Sequence, residues 1–146
     1  MNYKLAGPLA AIGLRRLDLL AEQLTSRRRN AGRLLASLPD DGQLHEVGYG
    51  EGDTPNYYNL VLASSRDSAE RVGSGFAAAG LSPDSIRFGY RPLYHQPIFT
   101  TYRTPCPNAE ALAATTFQLP VHPGMPDAAL AWVANRIRVL AERPHP

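Results

Sequence analysis

The sequence predicts an α/β (α+β) fold, in which a long N-terminal connecting helix leads to a small mixed-sheet domain flanked by helices. Three observations carry that prediction. Apolar residues recur at Leu5, Leu9, Ile12, Leu17, Leu20 and Leu24, a helical spacing that sets aside one stripe for burial. Beyond residue 40, strand-like runs alternate with helical ones, as in a layer of three or four strands covered by helices. The chain has 146 residues, one domain by length, able to bury roughly two-thirds of its unfolded surface.

Each element has its own reason. The first helix is predicted from about Leu5 to Leu38, with Pro8 tolerated in its first turn, Gly32 as a place to bend, and Pro39 followed by Asp40-Asp41-Gly42 as the stop. Residues Asp40 to Pro55 are rich in Gly and Asp and read as a loop, with a short strand near Leu44 to Val47. Asn56 to Ala63 reads as a strand, central because Leu60-Val61-Leu62 is continuously apolar. Ser64 or Ser65 then caps a helix from Arg66 to Ala79 that turns Ala69, Val72, Phe76 and Ala79 inward and ends at Gly80.

Ile86 to Tyr90 reads as a further short strand, and Arg91 to Pro107 as a loop too rich in proline for regular structure. Asn108 to Gln118 is predicted helical with Ala109, Leu112, Ala113 and Thr116 inward, followed by an extended Leu119 to Gly124. A last helix, Asp127 to Glu142, buries Leu130, Val133, Ile137 and Leu140, with Asp127 and Arg143 placed to suit its dipole. The predicted division is residues 1–38 for the connecting helix and residues 39–146 for the small domain.

Composition narrows the function classes. The net charge is +2, and fourteen arginines accompany one lysine. Arg27-Arg28-Arg29 is a basic run inside a helical pattern, read as a solvated face; no basic stripe interleaved with aromatics points to nucleic acid. A lone Cys106 excludes an internal disulfide and fits a reducing, cytoplasmic setting. No stretch has the apolar length of a membrane span, no signal peptide precedes the first helix, and no residues have metal-ligand spacing. Gly48, Gly50 and Gly52 do not lead a strand into a helix, so no phosphate loop is predicted there.

Four segments carry a resemblance. Asn2-Tyr3-Lys4 with Ala10-Ala11 and Gly13 is similar to an "NYR" segment that opens a helix. Pro92-Leu93-Tyr94-His95-Gln96-Pro97-Ile98-Phe99 resembles a "P-L-H-x-Q-P-x-Y/F" loop. Cys106-Pro107-Asn108-Ala109-Glu110 resembles "C-P-x-A-E", and Leu119-Pro120-Val121-His122-Pro123-Gly124 resembles "L-P-x-H-P-G". In this order and at these separations they resemble the C-terminal part of the DegT/DnrJ/StrS sugar aminotransferases, fold type I pyridoxal-phosphate enzymes. Lys4 stands where many members have Arg, and Ala6-Gly7-Pro8-Leu9 departs from the commoner pattern.

The resemblance implies a chemistry that these residues do not complete. Family members react through a lysine Schiff base to pyridoxal phosphate, with an acid holding the pyridinium nitrogen, both on a large domain upstream of the "NYR" segment. Lys4, the sole lysine here, matches the motif's basic residue instead. The expectation is a chain that is not catalytic alone, with no catalytic residue of its own. It would bind the cofactor, pyridoxal phosphate, only when completed by a large domain; the expected partner is an aminotransferase large domain, or the chain forms a homo-oligomer. The substrate would be a sugar or cyclitol, with no nucleic-acid or membrane partner.

By the same resemblance, Asn2 would donate an amide N–H to the cofactor phosphate of the neighbouring subunit, with Tyr3 and Lys4 shaping or charging that site, at a helix N-terminus that favours anions; the alternative is a disordered or capping Asn2 at a frayed terminus. Tyr94, His95 and Gln96 lie along the substrate entrance, although the family histidine falls at Tyr94; the alternative is a packed Tyr94 and an exposed His95. His122 reads as a structural histidine whose ring N–H bonds backbone, His45 and His145 as solvent residues, and Cys106 as a packing residue at a helix start. The rival function is a non-catalytic interaction module that partners an intact aminotransferase. The connecting helix is also expected to expose its apolar stripe when no large domain covers it.

Overall fold

A computed structural model describes residues 6–64 and 66–141, with 66–68 described for their backbone only. Two successive helices open it: α1 (Gly7–Asp18) and α2 (Leu20–Leu35), separated at Leu19. The predicted single helix is thus broken, and at a position that carries neither glycine nor proline. Gly32 lies inside α2, and the helix ends at Leu35, before Pro39. The apolar stripe is not buried within this chain: Leu9 is 56%, Ile12 55%, Leu17 63% and Leu20 44% exposed, and α1 has no buried residue. Leu5 lies outside the described residues.

Three strands follow the helices in the order β1 (Leu44–Glu46), β2 (Asn59–Ser64) and β3 (Thr116–Pro120), both pairings antiparallel. β2 is central as predicted, but Val61 is half-buried, because in an antiparallel strand only alternate residues reach the core. Register makes the core face plain: Leu60 opposes Leu119 and Leu62 opposes Phe117, all four at 1% exposure or less.

The helix α3 (Arg66–Ala78) lays Ala69, Val72 and Phe76 on that face, with Ala79 only half-buried beyond its end. It stops where expected, since Gly80 takes a φ of +89° and Leu81 N–H reaches back 3.0 Å to the Phe76 carbonyl. Ser64 is the last residue of β2 and Ser65 lies outside the described residues. α6 (Asp127–Ala141) buries Leu130, Val133, Ile137 and Leu140, as its period foretells; Glu142, Arg143 and His145 are outside the described residues. α2 adds Ala31 and Leu34 to the same cluster.

Three predicted elements differ. Ile86 to Tyr90 is not a strand: Pro83 and Asp84 start a helical turn, α4 (Asp84–Arg87), and Ile86 seats against Gly73, where a Cβ would lie only 2.9 Å from Ile86 Cγ1. The proline-rich segment contains two 3₁₀ turns, Leu93–His95 and Pro97–Tyr102, a geometry in which proline at the first position costs no hydrogen bond. The helix expected from Asn108 to Gln118 is shorter, α5 (Pro107–Thr115). Pairing with β2 draws the β-branched and aromatic Thr116 and Phe117 into β3. Leu112 is accordingly 57% exposed rather than inward.

Candidate functional site

The segment after α4 and the start of α5 meet through one carboxylate. Tyr94 donates its hydroxyl to Glu110 Oε1 at 2.6 Å, and accepts the backbone N–H of Cys106 at 3.1 Å. His95 Nε2 lies 3.8 Å from the same Glu110 oxygen, and its ring stands edge-on to Tyr94 with centroids 4.7 Å apart. Partial desolvation, then the bond to Glu110, push the Tyr94 hydroxyl above its ordinary value. Gln96 Oε1 accepts from Arg91 at 3.1 Å. Tyr94 and His95 are therefore brought together at Glu110, whereas Gln96 turns to Arg91; Tyr94 is satisfied at both ends of its hydroxyl and His95 is half-buried, not a freely exposed loop histidine.

Two cavities flank the loop. One of about 390 Å³ is lined by Glu70, Arg91, His95, Glu110 and Phe117 among others. The second, about 530 Å³ and more apolar, runs past Leu93, Gln96, Leu112 and Gln118. Such concave spaces with a few convergent polar groups are the usual setting for small-molecule binding. Glu110 ends the Cys106-Pro107-Asn108-Ala109-Glu110 motif, which by itself gives it no role. The cue available was its place in the first turn of a helix, facing residues 94 and 95 only in three dimensions.

The remaining sequence candidates sort as follows. Asn2, Tyr3 and Lys4 lie outside the described residues. Cys106 sits at the N-terminal boundary of α5 but is exposed, its thiol 3.5 Å from the Thr104 carbonyl, so it does not pack as expected. His122 is exposed, and its ring accepts rather than donates: Gly124 N–H bonds Nδ1 at 3.0 Å, which places the ring proton on Nε2. His45 is exposed on β1.

The basic run is not simply a solvated face. Arg27 Nη1 donates to the carbonyls of Val121 at 2.6 Å, Tyr57 at 3.1 Å and Tyr58 at 3.3 Å, and Arg28 Nε to that of Pro55 at 3.2 Å. These contacts span up to 94 residues of sequence, which no local pattern reveals. They hold α2 against the segment entering β2 and the one leaving β3.

Among the described residues no group of three or more His, Cys, Asp or Glu could hold a metal ion, and no helix is long and apolar enough to cross a membrane. The described residues include no lysine. None of them can hold pyridoxal phosphate covalently, and no step of its chemistry is assigned to them.

The profile of the DegT/DnrJ/EryC1/StrS aminotransferase family matches residues 1–138. A dTDP-4-dehydro-2,3,6-trideoxy-D-glucose 4-aminotransferase of Saccharopolyspora spinosa is 29% identical over 138 residues, 91% of this chain and 34% of that protein. Among solved structures, the aminotransferase TlmJ of Streptoalloteichus hindustanus superposes with a TM-score of 0.79 at 23% identity, over 91% of this chain and 36% of its own. DesV of S. venezuelae gives 0.80 at 21% identity, over 94% and 37%. The chain thus spans about a third of the length of each of these proteins, and it shares their fold throughout that third.

Proposed function

Because the chain belongs to the DegT/DnrJ/EryC1/StrS aminotransferase family, we propose that it forms the connecting segment, residues 1–38 with its two helices, and the small domain, residues 39–146, of a sugar or aminocyclitol aminotransferase. A large domain, in the same or a second polypeptide, supplies the Schiff-base lysine and the acid for the pyridinium nitrogen. In that assembly Asn2, Tyr3 and Lys4 line the cofactor phosphate. Tyr94, His95 and Gln96 border the substrate, held by Glu110 and Arg91. Without the large domain these residues can shape a pocket but not transfer an amino group.

One observation carries the reading. α1 has no buried residue and presents Leu9, Ile12 and Leu17 to solvent, an apolar face that calls for a covering body. The experiment is reconstitution. Mixed with pyridoxal phosphate, the 146-residue chain should develop no visible absorbance of a lysine conjugate and transfer no amino group. Combined with a family large domain and a panel of amino-acid donors, it should support amino transfer to a dTDP-keto-sugar, weakened by Asn2→Ala and Lys4→Ala. Amino transfer by the chain alone would refute the reading.

A further inference from the structure

A second exposed surface, apart from the row on α1, lies over the face of the sheet turned away from the core. Asn59 and Val61 of β2 and Gln118 of β3 point to that face, alternating with the buried Leu60, Leu62, Phe117 and Leu119. Above them Tyr49, Tyr57, Tyr58 and Tyr90 border a shallow cavity of about 340 Å³. Tyr49, Tyr58 and Tyr90 are 46%, 72% and 48% exposed, and Phe88, stacked beside Tyr90, is 61% exposed. We propose that a second copy of this chain docks on this face, about a twofold axis that passes through the cavity.

The charges select that partner. Residues 47–58 contain Glu51 and Asp53 and neither Lys nor Arg; residues 85–109 contain Arg87, Arg91 and Arg103 and neither Asp nor Glu. All five charged side chains belong to exposed residues, and among the described residues none of them forms an ion pair. Arg28 reaches the first segment but spends its Nε on the Pro55 carbonyl, and Asp84 offsets part of the charge of the second. Tyr49 of the acidic segment and Tyr90 of the basic one border the same cavity, so the two segments lie side by side on one surface.

A twofold axis between neighbouring patches of opposite sign sets each patch on its opposite, twice over. A partner of uniform charge would gain on one side and lose on the other. The exposed aromatic rings between the charges supply an apolar centre inside a charged rim, the usual anatomy of an interface. Segments 47–58 and 84–93 together match the size of a standard contact, about 20–30 residues a side. The pairing uses no residue of α1, so it is independent of the proposed large domain.

The test is sedimentation velocity on the 146-residue chain bearing Leu9→Ser and Ile12→Ser, which removes association through α1. At about 0.05 M salt this chain should dimerise, and about 0.5 M salt should weaken the dimer at least about tenfold; at the higher salt only the α1 row should still associate the parent chain. Glu51→Lys with Asp53→Lys, and separately Arg87→Glu with Arg91→Glu, should each give monomers with unchanged circular dichroism. Mixed, the two variants should form a one-to-one heterodimer, because each then offers what the other lacks. Should either reversal fail to fold, the neutral pair Glu51→Gln with Asp53→Asn carries the test, since it should flatten the salt dependence of the dimer. A monomer at low salt, a dimer indifferent to salt, or folded reversals that stay monomeric when mixed overturn the inference. A family large domain that displaces the dimer also overturns it, by assigning this face to that body, and leaves the proposed function standing.

Discussion

Arg27 ties α2 to the segments on either side of the sheet, so its removal should cost the fold measurably. Its Nη1 carries two hydrogens and faces three carbonyls. The 2.6 Å bond to Val121 and the 3.1 Å bond to Tyr57 therefore take one hydrogen each, and the 3.3 Å contact to Tyr58 is shared. Hydrogen bonds to a charged donor are worth about 1.5–3 kcal/mol each. Tyr58 is exposed and Tyr57 half-buried, so water can take over there. Val121, at 2% exposure, has less access to that substitute.

For Arg27→Ala the expected loss is thus about 2 kcal/mol, or about 6 °C in Tm for a domain of this size. Arg27→Lys keeps one bond and should recover about half. Arg28→Ala removes one 3.2 Å bond from an exposed side chain and should stay within about 0.5 kcal/mol. Urea unfolding followed by circular dichroism reads all three variants on one scale. Equal losses for Arg27→Ala and Arg28→Ala would refute the assignment of Arg27 as the staple between α2 and the sheet segments.

Other consequences are simpler. Phe76, fully buried on α3, should cost about 3–5 kcal/mol as Phe76→Ala by the same unfolding assay. The Asp127 carboxyl is held below its ordinary value by the Arg33 hydrogen bond and charge. A depressed acid stabilises above its unfolded pKa and loses that contribution as pH falls through the folded one. Arg33→Gln should therefore return the Asp127 titration seen by NMR toward the ordinary carboxylate range and flatten the loss of stability below about pH 4. The exposed row Leu9, Ile12 and Leu17 should make the chain self-associate, so sedimentation should show oligomers at high concentration that Leu9→Ser with Ile12→Ser abolishes; a strictly monomeric parent chain contradicts this.

What could be read in the sequence follows from which forces are local. The buried face of α6 and most of that of α3 repeat at helical spacing, and Gly80 punctuates α3, so both helices were legible. Ile86 to Tyr90 has strand composition, but Pro83 and Asp84 begin a helical turn and Gly73 supplies the seat for Ile86, a partner thirteen residues upstream. The alanine-rich run through Ala114 concealed the switch at Thr116, which is imposed by pairing across the sheet. Tyr94, His95 and Gln96 stood out through a motif, whereas Glu110, which joins two of them, and Arg27, which ties three carbonyls, act over distances in sequence that periodicity does not record.

The exposed helix bears on what the rest of the fold is for. A twelve-residue helix is marginal by itself in water, and α1 gains nothing from the core, since it buries none of its residues. Leu9, Ile12, Leu17 and Leu20 are each about half exposed, which withholds about 1 kcal/mol apiece at the usual return for apolar burial. Some 4 kcal/mol, a large part of a small domain's margin, is therefore still to be gained when a second body covers this row. α1 would then be fixed by the contact that covers it. Ordering of α1 and covering of its apolar row become a single event, which accounts for a helix that this fold carries but does not itself bury.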